Sequence, residues 1–293
     1  MWPILIGLIK NLFNHNNILR PSLDLMSRIV RSFGVQMMGP QFMELMNLLK
    51  EAYKYHISDY EIITAKTLME EFYKTHAPVF VDFLLYICIN TDSKIFNDVN
   101  SYPQIIASMF EYASRSLIFC KVQMESNTAV IDQIFQKAII CAGQGQEKDS
   151  TRSVLNFMKQ VIKPVRSGAI RSVLSDRVMS TQSSQLINVE LQCITETSPD
   201  FMLPYHADLL YNIATGYTQV FTQALNVFMS NYQNMQYLKP ETKQLIVIVL
   251  PLLSNGQFEN KKKFKEFLLD LSSVCRGEKQ IDLLLPYRQL VGV

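Results

Sequence analysis

Glycine and proline are both scarce in this sequence, at 10 and 11 of 293 residues. Rossmann-type enzymes and all-β sandwiches need many turn glycines, whereas helices joined by short turns do not. Charge of one sign is lacking too. The formal net charge is +2, so no strong field steers the chain toward nucleic acid. Cysteine is sparse and dispersed: Cys88, Cys120, Cys141, Cys193 and Cys275 never fall within four residues of one another. That spacing makes no zinc motif and no disulfide framework, and the five read as reduced core thiols. The four histidines, His15, His56, His76 and His206, form no metal-type pair by sequence spacing. No membrane span is expected, because the run from Leu245 to Leu253 is interrupted by Pro251 and is far shorter than about twenty residues. The apolar start, Met1 to Ile9, lacks the basic region and cleavage site of a secretory signal.

Catalytic signatures are missing as well. Gly143-Gln144-Gly145 is an isolated G-x-G between two helical stretches, so it reads as a turn. Neither a phosphate-binding P-loop nor a G-x-S-x-G nucleophile elbow occurs. Acidic residues are spread along helix faces with no converging pair visible in the sequence. A pair assembled in three dimensions stays open, but the expectation is a protein that is not an enzyme and needs no cofactor or metal.

Apolar side chains are plentiful, at 48% of residues, which excludes wholesale disorder. Their spacing is helical. Phe42, Leu45, Leu49 and Ala52 share a face, as do Ile62, Ala65, Met69 and Phe72. Val130, Ile131, Ile134, Phe135, Ala138 and Ile139 form a broader stripe, and Phe264, Phe267, Leu268 and Leu271 another. Pro40, Pro78 and Pro240 suit helix first turns. Ser58-Asp59 and Ser126-Asn127 suit helix starts. Gly34, Gly143 and Gly145 follow periodic stretches.

These signals predict helices at 3–13, 20–33, 40–54, 59–74, 79–90, 103–119, 127–142 and 148–163. Less sharply, they predict helices at 168–180, 183–196, 205–215, 217–230, 240–254 and 260–275. Paired in order, the first eight start anew at intervals of about 37 to 47 residues, the spacing of HEAT-type repeats. The expected fold is therefore all-α, a HEAT/armadillo-type solenoid of about six to seven antiparallel helix pairs. An irregular helical bundle is the competing architecture.

Four stretches carry a family resemblance. They are Trp2-Pro3-Ile4-Leu5 with Val30-Arg31-Ser32-Phe33-Gly34; Ile62 to Tyr73, ending Leu68-Met69-Glu70-Glu71-Phe72-Tyr73; Ala107 to Ser116; and Asp149 to Ile162. In order and spacing they resemble the C-terminal part of the importin-13/transportin-3 branch of the importin-β (karyopherin) superfamily. Residues 1–163 match best, and 164–293 are more divergent repeats. The resemblance implies a single solenoid over 1–293, as the C-terminal portion of a longer karyopherin. It further implies a nuclear transport receptor that shuttles between nucleus and cytoplasm and binds cargo proteins, the GTPase Ran and FG-repeat nucleoporins. Ran's main docking surface would lie in N-terminal repeats outside this chain. Direct nucleic-acid or membrane binding is not implied. A HEAT-type scaffold or adaptor with no transport role is the alternative.

Two basic groups are candidate contact sites. Arg20, Arg28 and Arg31 flank or lie on the second helix, where transportin-3-like proteins carry an arginine row for phosphorylated Arg/Ser-rich cargo. The matching positions here are Pro21, Asp24, Ser27 and Arg31, so Arg31 alone agrees and Arg28 is one position away. A plainer reading pairs Arg28 with Asp24 at i, i+4. Lys261, Lys262, Lys263 and Lys265 form the one dense basic run, which reads either as a contact patch or as the solvated face of a helix.

Overall fold

Regular apolar spacing with few helix breakers gives helices throughout, and the computed structural model contains no strand among the residues it describes. These are 2–12, 15–33, 41–163, 172–232, 239–254, 258 and 260–290. Gly34, Pro40 and the first residues of the helix expected at 168–180 lie outside them. The fold class is all-α. The chain divides into two units, residues 1–137 and 138–293.

The first unit contains α1 (Trp2–Leu12), α2 (Asn16–Phe33), α3 (Gln41–His56), α4 (Asp59–Asn90), α5 (Ser93–Asn97), α6 (Pro103–Phe119) and α7 (Lys121–Ser126). α8 (Thr128–Gln144) begins in it. The apolar stripes form its core: Phe42, Leu45, Leu49 and Ala52 on α3 are buried, as are Ile62, Ala65, Met69 and Phe72 on α4.

The helices expected at 59–74 and 79–90 form one element. α4 runs through both and bends at His76, whose backbone leaves the helical region (φ −129°, ψ 22°). Pro78 is the cause: it has no amide hydrogen to donate, and its ring crowds the carbonyl one turn earlier. The bend is packed from inside. The His76 ring lies 4.1 Å from that of Phe42, and its Nδ1 lies 2.7 Å from Thr75 Oγ1. Among the described residues α4 is the one helix long and apolar enough to cross a membrane. It packs against α2, α3 and α6 and carries Glu61, Lys66, Glu70, Glu71, Lys74 and Asp82, so we read it as a core helix.

Each arm of α4 has its own neighbours. α2 lies along the first arm, where Ser27 Oγ donates to Thr64 Oγ1 (3.4 Å) and Arg31 Nη2 to Thr67 Oγ1 (3.3 Å). α3 lies along the second, where Tyr86 donates to the Lys50 carbonyl (2.9 Å), Tyr53 shares a 2.6 Å hydrogen bond with Thr91, and Lys50 pairs with Asp82. α6 contacts both arms: Lys66 pairs with Glu111 at 2.6 Å, and the Tyr112 hydroxyl donates to the Phe80 carbonyl at 3.0 Å. Four of these α2–α4 and α3–α4 hydrogen bonds join residues 36 to 38 positions apart, and the Lys50–Asp82 pair joins residues 32 apart.

The second unit contains the end of α8, then α9 (Lys148–Val161), α10 (Val173–Thr181), α11 (Ser183–Gln192), α12 (Leu203–Gly216), α13 (Thr218–Tyr232), α14 (Pro240–Val249), α15 (Lys261–Cys275) and α16 (Leu285–Leu290). α9 is well capped: the Glu147 carboxylate accepts from the amides of Asp149 and Ser150 at 3.1 and 2.7 Å. Gly145 follows α8 because nothing larger fits. A Cβ there would overlap Thr151 Oγ1 and lie 2.9 Å from the Cys141 carbonyl oxygen.

α11 ends in a widened turn with π-type bonding, Cys193–Thr197. α15 meets its carbonyls. Ser272 Oγ donates to Ile194 O at 2.6 Å, and Arg276 Nη2 donates to the carbonyls of Cys193 and Ile194 at 3.1 and 3.3 Å. α12 packs against α9, α13 and α15, and α11 against α13. Short α5 and α7, and the 3₁₀ turns Val99–Ser101, Asp200–Met202 and Leu250–Leu253, fall where the sequence predicted connections or the tail of a longer helix, whereas the turn Ile281–Leu284 and α16 lie beyond the last predicted helix.

Candidate functional site

On α2, the three arginines do not form an array. Arg28 is exposed and pairs with Asp24, with Nη2 to Oδ2 at 3.0 Å, as the i, i+4 spacing predicts. Arg20 stacks over the Tyr60 ring at 4.5 Å. Arg31 donates to Thr67. The face along which a phosphorylated segment could lie therefore has its guanidinium groups occupied by neighbours within the unit.

The lysine run opens α15, capped by Asn260, whose Oδ1 accepts from the Lys263 amide at 3.0 Å. The run splits into two faces. Lys262 and Lys263 reach Glu266 at 3.8 and 3.1 Å. Lys261 and Lys265 turn to the other side, each with its Nζ 2.7 Å from the same oxygen, Oδ1 of Asp208 on α12. A third lysine, Lys159 on α9, lies 3.9 Å from the other carboxylate oxygen. Two helices thus bring three ammonium groups to one half-buried aspartate on a third. Tyr205 and Tyr211 add ring faces 5.1 Å from Lys159 Nζ and 5.8 Å from Lys261 Nζ.

The electrostatics follow from this crowding. Burial acts to raise the pKa of Asp208, but the hydrogen bonds and charges of Lys261 and Lys265 win and hold it below the usual carboxylate value. Lys159 is pushed the opposite way. Burial lowers its pKa, Asp208 opposes, and the positive charges of Lys261 and Lys265 add to the lowering.

A second constellation is fully buried. Glu190 on α11 and His206 on α12 meet with Oε2 to Nδ1 at 2.8 Å. The outer atoms of the pair, Glu190 Oε1 and His206 Nε2, have no partner among the described residues. A carboxylate and an imidazole in contact are components of acid–base chemistry. This pair, however, has neither exposure nor a third ligand, and no group of three or more metal-ligating side chains occurs among the described residues.

A cavity of 430 Å³ opens between α11 and α13. Thr181, Ser184, Gln185 and Asn188 line one side, Ala224 and Val227 the other. All are uncharged, so the cavity offers hydrogen bonding but no ionisable side chain to act as a general base.

Sequence spacing identified the lysine run and the Arg28–Asp24 pair. It missed Asp208 and Lys159, and it missed the Glu190–His206 contact, because these residues converge only when the helices pack. The five cysteines are buried and form no disulfide, and the phenylalanines of the apolar stripes are core residues. No protein-family profile matches the chain, and no curated protein matches it with significant similarity.

Proposed function

We propose that this chain is a non-enzymatic, HEAT-type protein-binding scaffold, and specifically part of a nuclear transport receptor of the importin-13/transportin-3 kind. The observation that carries the scaffold reading is the regular offset in the first unit. Side chains 36 to 38 residues apart bridge α2 to the first arm of α4 and α3 to its second arm. Such an offset is what consecutive helix pairs of one repeat length produce when stacked. The transport reading adds the collinear resemblance of residues 1–163 to the karyopherin branch.

Function in such a protein is binding and flexure. Small changes at each interface between repeats add up along a stack, so one ligand alters the curvature another one meets. Cargo proteins, Ran and FG nucleoporins are the proposed partners, with shuttling between nucleus and cytoplasm. A pulldown with Ran locked in its GTP form, against the GDP form, tests this on the longest transcript containing the sequence. GTP-selective binding that releases a set of nuclear proteins is expected, and equal or absent binding in both forms overturns it.

One observation favours a HEAT-type adaptor without a transport role. Arg20, Arg28 and Arg31 are engaged by Tyr60, Asp24 and Thr67 rather than ranged as a cargo-binding row.

A further inference from the structure

The cluster on α9, α12 and α15 is unbalanced. Asp208 supplies one negative charge to Lys159, Lys261 and Lys265, and both α15 lysines use the same oxygen. Glu266 on the neighbouring face is already shared by Lys262 and Lys263. The surface therefore keeps three positive charges in excess over these seven side chains, two of them at the Asp208 cluster. Lysines repel at such range, and partial burial sharpens the repulsion. Asp208 and the three lysines are all less than half exposed, Lys159 at 21%. Burial is the largest cause of the lowered Lys159 pKa, and the charges of Lys261 and Lys265 add to it.

We propose that Lys159, Lys261 and Lys265 form a binding site for a compact, doubly charged oxyanion of the phosphate-monoester class. The Lys261 and Lys265 ammonium groups already converge to 2.7 Å from a single carboxylate oxygen, the geometry that one phosphate oxygen needs, and Lys159 stands 3.9 Å from the other oxygen. A dianion neutralises the surplus that Asp208 leaves. The first turn of α15 adds the positive end of a 15-residue helix on the same side of the charge balance. The site is separate from the α2 arginines and does not depend on a role in transport.

The ligand has two sources, a phosphorylated protein segment or free phosphate, and the test separates them. The full chain is titrated with inorganic phosphate, followed by phosphorus NMR line broadening. It is also titrated with a fluorescent phosphoserine peptide, followed by anisotropy. Chloride keeps the ionic strength constant. Tighter binding of the peptide assigns a phosphorylated segment, and equal binding assigns free phosphate. Lys159→Gln and Lys265→Gln should each weaken binding about tenfold. Asp208→Asn removes the competing carboxylate and should preserve or tighten binding. Circular dichroism melts identify any variant that fails to fold. The proposal is overturned if neither probe binds above the chloride background. It is also overturned if the folded lysine variants bind like the parent, or if an unphosphorylated Glu-rich peptide binds as tightly as the phosphopeptide.

Discussion

Nδ1 of His206 lies 2.8 Å from Oε2 of Glu190, and neither side chain touches solvent. The two residues are 16 positions apart and belong to successive long helices, so their contact ties α11 to α12 inside the second unit. Removing one partner strands the other in an apolar interior. We expect His206→Ala to cost about 3–5 kcal/mol in urea unfolding. Replacing both residues by apolar side chains of similar volume, Glu190→Leu with His206→Phe, should recover most of that loss. A double-mutant cycle reads the coupling directly. Additive single-mutant effects would show that the pair contributes no coupling to the fold.

Glu61 predicts a pH dependence of the first unit. Burial pushes its carboxyl from the ordinary 4.5 up to about 7, against the opposing hydrogen bond from the Ser58 hydroxyl. Between these two values the folded state holds a proton that the unfolded state has released. Stability therefore falls as pH rises through that window, and the penalty is complete above it, at about 3 kcal/mol. Glu61→Gln keeps the shape and cannot ionise. The variant should unfold at higher denaturant concentration than the parent at pH 8, with the difference closing by pH 4.

Ile57 ends α3 in the left-handed region, at φ 44°, with its amide donating to the Tyr53 carbonyl at 2.7 Å. A β-branched residue crowds its own backbone there, whereas glycine adopts that conformation without penalty. Ile57→Gly should stabilise the chain by about 1 kcal/mol, net of the packing lost from a partly exposed side chain. Thermal unfolding followed by circular dichroism measures it, and a lowered melting temperature would contradict the backbone argument.

Much of the helical content was legible because each stripe must bury one face. Phe264, Phe267, Leu268 and Leu271 are all buried on α15, and α6 occupies the predicted 103–119. The bend in α4 was harder to read. Pro78 signals a helix start equally well after a loop or after a single distorted residue, and only the packing of His76 against Phe42 selects the latter. Site geometry was least visible. The lysines at 261–265 were plain as a run, but their partner Asp208 lies on another helix, and charge pairing across helices has no period in sequence. The same holds for Glu190 and His206.

The bend at His76 also constrains how the gene can change in length. In most helical proteins a residue is gained or lost harmlessly in a loop between two helices. Between Asp59 and Asn90 there is no loop to absorb it. One added residue in either arm would rotate everything beyond it by about 100° around the helix axis. The faces now meeting α2, α3 and α6 would swing away together. Insertions and deletions should therefore be excluded from this stretch and tolerated in the connections on either side, a pattern that an insertion scan of the chain would display as a gap 32 residues wide.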